Sequence, residues 1–140
     1  MAAQGPVPPV APRYLDPTQL TEESKAAYLL KVDLSSVPHP QGQCRLWTKG
    51  VGGSGYPRMR VKVAGRVGSI QYGVHQVVYA LNSGTALNLP LHDVSHRCHN
   101  RLCVNMDHLS YEPKVVNAQR NPCRELNQCR GHLPFLPCIF

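Results

Sequence analysis

Long apolar runs are absent from this chain: no stretch could cross a bilayer, and the first residues lack the basic-then-apolar pattern of a secretory signal. The expectation is a soluble, intracellular protein, nuclear in a eukaryotic cell and not secreted, with no membrane partner. Acidic residues are scarce too. The 140 residues carry 8 Asp+Glu against 15 Lys+Arg, and no acid occurs between Asp33 and Asp93, an interval that holds Arg45, Lys49, Arg58, Arg60, Lys62 and Arg66. A positive field concentrated in one part of a domain suits a polyphosphate backbone, with a merely solvated basic surface as the plainer alternative. Large apolar side chains are sparse from Met1 to Pro17, where Pro6, Pro8, Pro9, Pro12 and Pro17 crowd together. Such a segment cannot bury enough surface to offset chain entropy. Residues 1–20 are therefore expected to form a flexible, Pro-rich arm, and residues 21–140 one domain.

What the chain does have is cysteine interleaved with histidine. Six cysteines would allow three disulfides in a secreted protein, but without a secretion signal metal ligation in a reducing compartment accounts for them better. The densest stretch runs from Ser95 to Leu109, with the spacing Cys98-x4-Cys103-x4-His108. Thiolate and imidazole on a tight loop suit structural zinc, which takes four ligands where this spacing supplies three. The bland reading is a disulfide or a core cluster, and the polar Arg, His and Asn around the thiols count against it. Counting along the chain completes the set. Cys44 is the fourth ligand by elimination, and Cys123, Cys129, His132 and Cys138 form a second set in the loop-rich tail. Two structural Zn²⁺ would then staple a domain with a modest core.

Between the two ends the periodicity changes. Thr18 or Thr21 can cap a short helix through Glu22, Glu23, Ala26, Ala27, Leu29 and Leu30, closed before Pro38. A sheet is expected over residues 44–73: Arg45 to Thr48, a turn at Gly52-Gly53-Ser54-Gly55, Tyr56 to Ala64, a turn at Gly65, and Val67 to Tyr72. Within it Arg58, Arg60 and Lys62 alternate with Met59, Val61 and Val63, giving one basic and one apolar face of a ribbon able to meet phosphates or base edges. A helix is expected over residues 74–83, with Val74, Val77, Val78 and Leu81 in the core and Gly84 ending it; His75 is assigned no role. Another helix is expected from Lys114 to Arg120. His96 and Asn117 stay outside both zinc sets. A neutral imidazole beside a pinned loop can activate water, and a nearby amide oxygen can ligate a hard cation such as Mg²⁺.

Ser95-His96-Arg97-Cys98-His99-Asn100, then Cys103, Asn105, His108-Leu109, Asn117, Arg120-Asn121 and Cys123 together resemble the His-Cys box of homing endonucleases. That family belongs to the ββα-metal, or His-Me finger, nucleases that also include the HNH enzymes. The resemblance spans residues 44–138 and is strongest from Ser95 to Cys123. It implies an α+β fold: a small zinc-stapled ββα-metal domain with an antiparallel sheet, few short helices, a ββα core over residues 92–122 and a second zinc loop over residues 123–138. It implies that His96 is the general base and Asn117 the ligand of one catalytic Mg²⁺. It further implies an arginine against the scissile phosphate, for which Arg66 is the nearest candidate, and a sheet docked in the DNA major groove through Arg58, Arg60 and Lys62. The activity would be site-directed cleavage of double-stranded DNA leaving a 5′-phosphate, with no organic cofactor. Family members are homodimers locked by a C-terminal extension; this sequence ends at Phe140, which leaves a dimer held otherwise, or none. The alternative function is a catalytically inactive, zinc-stabilised DNA-binding module of the same descent, and a zinc protein that binds other proteins is a third.

Overall fold

The computed structural model describes residues 14–63 and 66–140. Among them the chain folds as an α+β domain of three helices and short antiparallel strand pairs. The first strand, β1 (Tyr14–Leu15), pairs with β6 (Leu87–Asn88). Most of the expected arm, residues 1–13, lies outside the described residues. The rest of it is built into the fold, because Leu15 and Leu20 are buried in the core and give that short segment something to pack.

Thr21 starts α1 (Glu22–Leu34) by accepting the Ser24 N–H on its hydroxyl at 3.0 Å, with Glu22 and Glu23 in the first turn. The helix runs on to Ser35, where Ser36 Oγ donates back to the Val32 carbonyl at 2.7 Å. Next, β2 (Ser36–Pro38) pairs with β3 (Arg45–Trp47). The expected continuous sheet over residues 44–73 is thereby corrected: β3 takes its strand partner from upstream, while β4 (Arg58–Val61) and β5 (Ile70–Gly73) form a separate hairpin. The glycine-rich turn contributes only a bridge between Val51 and Pro57. The turn expected at Gly65, with Ala64 before it, lies outside the described residues, and Val67 is fully exposed and outside the strand.

Period-two patterning in β4 does place Met59 and Val61 in the core, with Arg60 exposed on the other face. Behind that hairpin lies α2 (Val74–Ser83), whose buried Val74, Val77, Val78 and Ala80 meet the hairpin's apolar side. Gly84, at φ 72°, ends it in the left-handed conformation that favours glycine.

The C-terminal half is a hairpin followed by a helix. β7 (His92–His96) pairs with β8 (Leu109–Pro113) in the register Asp93↔Glu112 and Ser95↔Ser110, and the chain then enters α3 (Lys114–Leu126). The helix extends past the expected end at Arg120, through Pro122 and Cys123, to a left-handed cap at Asn127. A proline inside a helix costs on the order of 3 kcal/mol. Burial of Arg120 and Cys123 on either side holds this one in place. No helix among the described residues is long and apolar enough to cross a membrane.

Candidate metal and nucleolytic centre

The eight residues counted as zinc ligands converge in space as two clusters, Cys44 with Cys98, Cys103 and His108, and Cys123 with Cys129, His132 and Cys138. In each, the four ligand atoms lie within 4.8 Å of one another. A tetrahedral zinc with Zn–S of about 2.3 Å and Zn–N of about 2.0 Å sets sulfur and nitrogen ~3.5 Å apart. His108 Nδ1 is 3.6 Å from Cys44 Sγ and 3.5 Å from Cys103 Sγ; His132 Nε2 is 3.4 Å from Cys123 Sγ and 3.5 Å from Cys138 Sγ. The donor sets therefore fit zinc in both chemistry and span.

The thiols of the first cluster respond strongly to one another. Burial pushes Cys44 up to about 11, the Cys103 hydrogen bond pushes Cys98 up further, and the hydrogen bond from Cys98 draws Cys103 down to about 4. Three such thiols cannot all ionise side by side without a cation among them, and a divalent metal supplies that charge.

Distant segments are tied into each cluster. Cys44 reaches the first through β3, where Leu46 bridges Cys103, Trp47 N–H donates to the Leu102 carbonyl and Val104 N–H to the Arg45 carbonyl. Arg45 is not unopposed, since it pairs with Asp33 at 3.1 Å and donates to Ser36 Oγ at 2.8 Å. At the second cluster Arg120 is the organising side chain. Fully buried, it holds Glu112 on β8 through two bonds of 2.8 and 2.7 Å, and donates to the Leu136 carbonyl at 2.9 Å and to Cys138 Sγ at 3.4 Å. Arg97 joins the two ends: Nε donates to the Pro137 carbonyl at 2.7 Å, and its own carbonyl accepts Ile139 N–H at 2.7 Å.

A cavity outside the two clusters is lined by His96, Asn117, Tyr56, Arg101, Asn121 and Arg124. His96 ends β7, and its Nε2 sits 3.0 Å from the Cys103 carbonyl. A carbonyl only accepts, so Nε2 carries the proton and Nδ1 is the free base of a neutral ring. Burial pulls the His96 pKa down to about 4, against the opposing effect of the Cys103 hydrogen bond.

Asn117 is oriented just as firmly. Its Nδ2 donates to Asp93 Oδ2 at 2.9 Å and its Oδ1 accepts from Ser95 Oγ at 2.7 Å. Asp93 and Ser95, two apart on β7, share one face of the strand, and the carboxylate, which only accepts, fixes which end of the amide meets it. One lone pair of Oδ1 remains for a hard cation.

Arg66 lines a separate cavity with Tyr14, Asp16 and Asn88, away from His96 and Asn117. Arg58, by contrast, shares a cavity with Asn117, Asp93 and His75. Sequence reasoning also missed Tyr56, whose ring stacks on His96 at 5.9 Å and carries Arg101 on its face at 5.0 Å. The helical spacing of Asn117, Arg120, Asn121 and Arg124 was a signal for one lined face of α3. Arg60 and Lys62 are exposed on the β4 side, Arg60 bonded to Ser69 Oγ at 3.0 Å.

Three helices, short antiparallel pairs and two Cys3His clusters define a zinc-stapled α+β domain with a His-Cys box. The family model described as the zinc-binding loop region of homing endonuclease matches residues 45–134, and the chain belongs to that family. Cys44 and Cys138 fall just outside the matched span, and the fold brings both into the clusters. No curated protein and no solved structure matches the chain.

Proposed function

We propose that this domain is a site-directed, Mg²⁺-dependent endonuclease of double-stranded DNA. The observation that carries the reading is the pinned tautomer of His96 beside Asn117: Nε2–H is held on the Cys103 carbonyl, leaving Nδ1 as a base in the cavity that Asn117 also lines. In the proposed reaction His96 Nδ1 takes the proton of the attacking water, and the Cys103 carbonyl steadies the imidazolium through Nε2–H. Asn117 Oδ1, held by Ser95 and Asp93, would bind the Mg²⁺. Bound there, a hard dication neutralises charge on the phosphate and the leaving 3′-oxygen.

Arg58, rather than Arg66, takes the part of the phosphate-contacting arginine, because it shares a cavity with Asn117. Zinc serves this chemistry indirectly, by rigidifying the loop from Cys98 to Cys103 whose carbonyl orients the base. Arg60 and Lys62, exposed on the hairpin, are the proposed DNA-facing side chains.

The test is cleavage of supercoiled plasmid with Mg²⁺ by the wild type, His96→Ala and Asn117→Ala. Each variant is expected to lose on the order of 10²–10⁴ in rate, the contribution typical of a positioned base, while keeping its salt-dependent DNA affinity. A wild type that binds DNA but leaves it intact across divalent metals would mark a DNA-binding module without nuclease activity.

A further inference from the structure

His75, on the first turn of α2, has no part in the mechanism above, yet its ring centroid lies 4.6 Å from that of His96, at an interplanar angle of 41°. The Tyr56 ring meets both, at 5.3 Å from His75 and 5.9 Å from His96. His75 is 8% exposed, and its Nδ1 is buried with no hydrogen-bond partner. An unpartnered buried polar atom costs about 1–3 kcal/mol, so an ordinary core position would be better filled by a hydrocarbon.

The surroundings are shaped around this ring. A Cβ built on Gly73 would stand 2.6 Å from His75 Cε1 and 2.9 Å from Nδ1, so only glycine admits the imidazole where it lies. Gly73 itself is fixed, donating its N–H to Gln76 Oε1 at 2.9 Å. Burial, with the His96 and Arg58 charges adding to it, holds His75 well below the usual histidine range and hence neutral.

His96 is anchored through only one nitrogen, and one hydrogen bond leaves a ring free to swing about it. We propose that His75 is a positioning residue which, with Tyr56, clamps the His96 ring so that its free nitrogen stays presented to the substrate phosphate. A neutral aromatic neighbour suits this task, since it restrains the ring by contact and can share its faces with the imidazolium that forms when His96 takes a proton, without adding a like charge. The proposal rests on the nuclease reading for its catalytic consequence, though not for the clamp.

Two readouts separate these. In zinc-replete protein, long-range ¹⁵N–¹H spectra of the His96 ring should show one Nε2–H tautomer in the wild type and a mixture of tautomers in His75→Ala. In the plasmid assay His75→Ala should lower kcat by about 10²-fold, the scale of an ångström-sized misplacement, with KM for DNA unchanged. His75→Phe, which keeps a ring and loses both nitrogens, should restore most of the rate. Should His75→Ala fail to take up zinc, Gly73→Ala displaces the ring by contact and should give the same fall in kcat.

A single tautomer in folded His75→Ala, an unchanged kcat, a loss confined to KM, or a His75→Phe as slow as His75→Ala would each overturn the clamp. A wild type that cleaves no DNA would remove the nuclease reading, and the tautomer measurement would still decide the clamp.

Discussion

Arg120→Met is the substitution whose consequence the structure fixes most sharply. Arg120 is 2% exposed and Glu112 0%, and two hydrogen bonds of 2.7 and 2.8 Å join them. Burial alone would raise the Glu112 pKa; hydrogen bonding by Arg120 and Ser110, with the Arg120 charge beside it, outweighs that and holds the carboxyl below its usual range. Removing the guanidinium strands a buried carboxylate and takes donors from the Leu136 carbonyl and Cys138 Sγ. Breaking one side of a buried pair costs about 3–5 kcal/mol, a large share of the ~5–15 kcal/mol that holds a domain together. Urea unfolding of zinc-replete protein, followed by tryptophan fluorescence and by zinc release to a chromogenic chelator, measures this directly. Zinc at the second cluster should be released at lower urea than in the wild type. Because the cost is the uncompensated charge, adding Glu112→Met should recover at least ~2 kcal/mol, since a hydrophobic pair of similar volume replaces a buried ion pair with little loss. A single Arg120→Met variant within about 1 kcal/mol of the wild type, or a double substitution no better than the single, would refute the argument.

Elemental analysis should find about two zinc per chain, one for each four-ligand set, and about one in Cys123→Ser. A value near one in the wild type would remove the tail site. Arg58→Ala should slow plasmid cleavage far more than Arg66→Ala, because of these two Arg58 shares a cavity with Asn117 and Arg66 does not. Equal rates in the two variants would return the phosphate-contacting role to an unassigned residue.

How much of this was legible in the sequence depends on the range over which each feature is decided. The zinc ligands Cys98, Cys103 and His108 lie within one loop, so their spacing already limits what they can hold. Cys44 could be added only by elimination, because β3 and the Leu46 to Cys103 bridge that bring it near are made by strand pairing. The amphipathic α2 and its Gly84 cap were readable because helical periodicity and a left-handed cap are local properties. The partner of β3 was not, since a strand of three residues can pair upstream or downstream with equal local sense, and the structure pairs it with Ser36 to Pro38.

The candidate nucleolytic centre divides the same way. The sequence by itself supplied six cysteines and the spacing of Cys98, Cys103 and His108, enough to count two Cys3His sets by elimination, with His96 and Asn117 outside both. Only the tertiary structure decided which nitrogen of His96 is free, which end of the Asn117 amide faces Asp93, and that Arg58 rather than Arg66 shares a cavity with Asn117. These are orientations, set by a carbonyl, a carboxylate and a ring brought in from other segments. Residue order fixes which groups are available. Where each lone pair points is settled when the hairpins and α3 pack together around the two clusters.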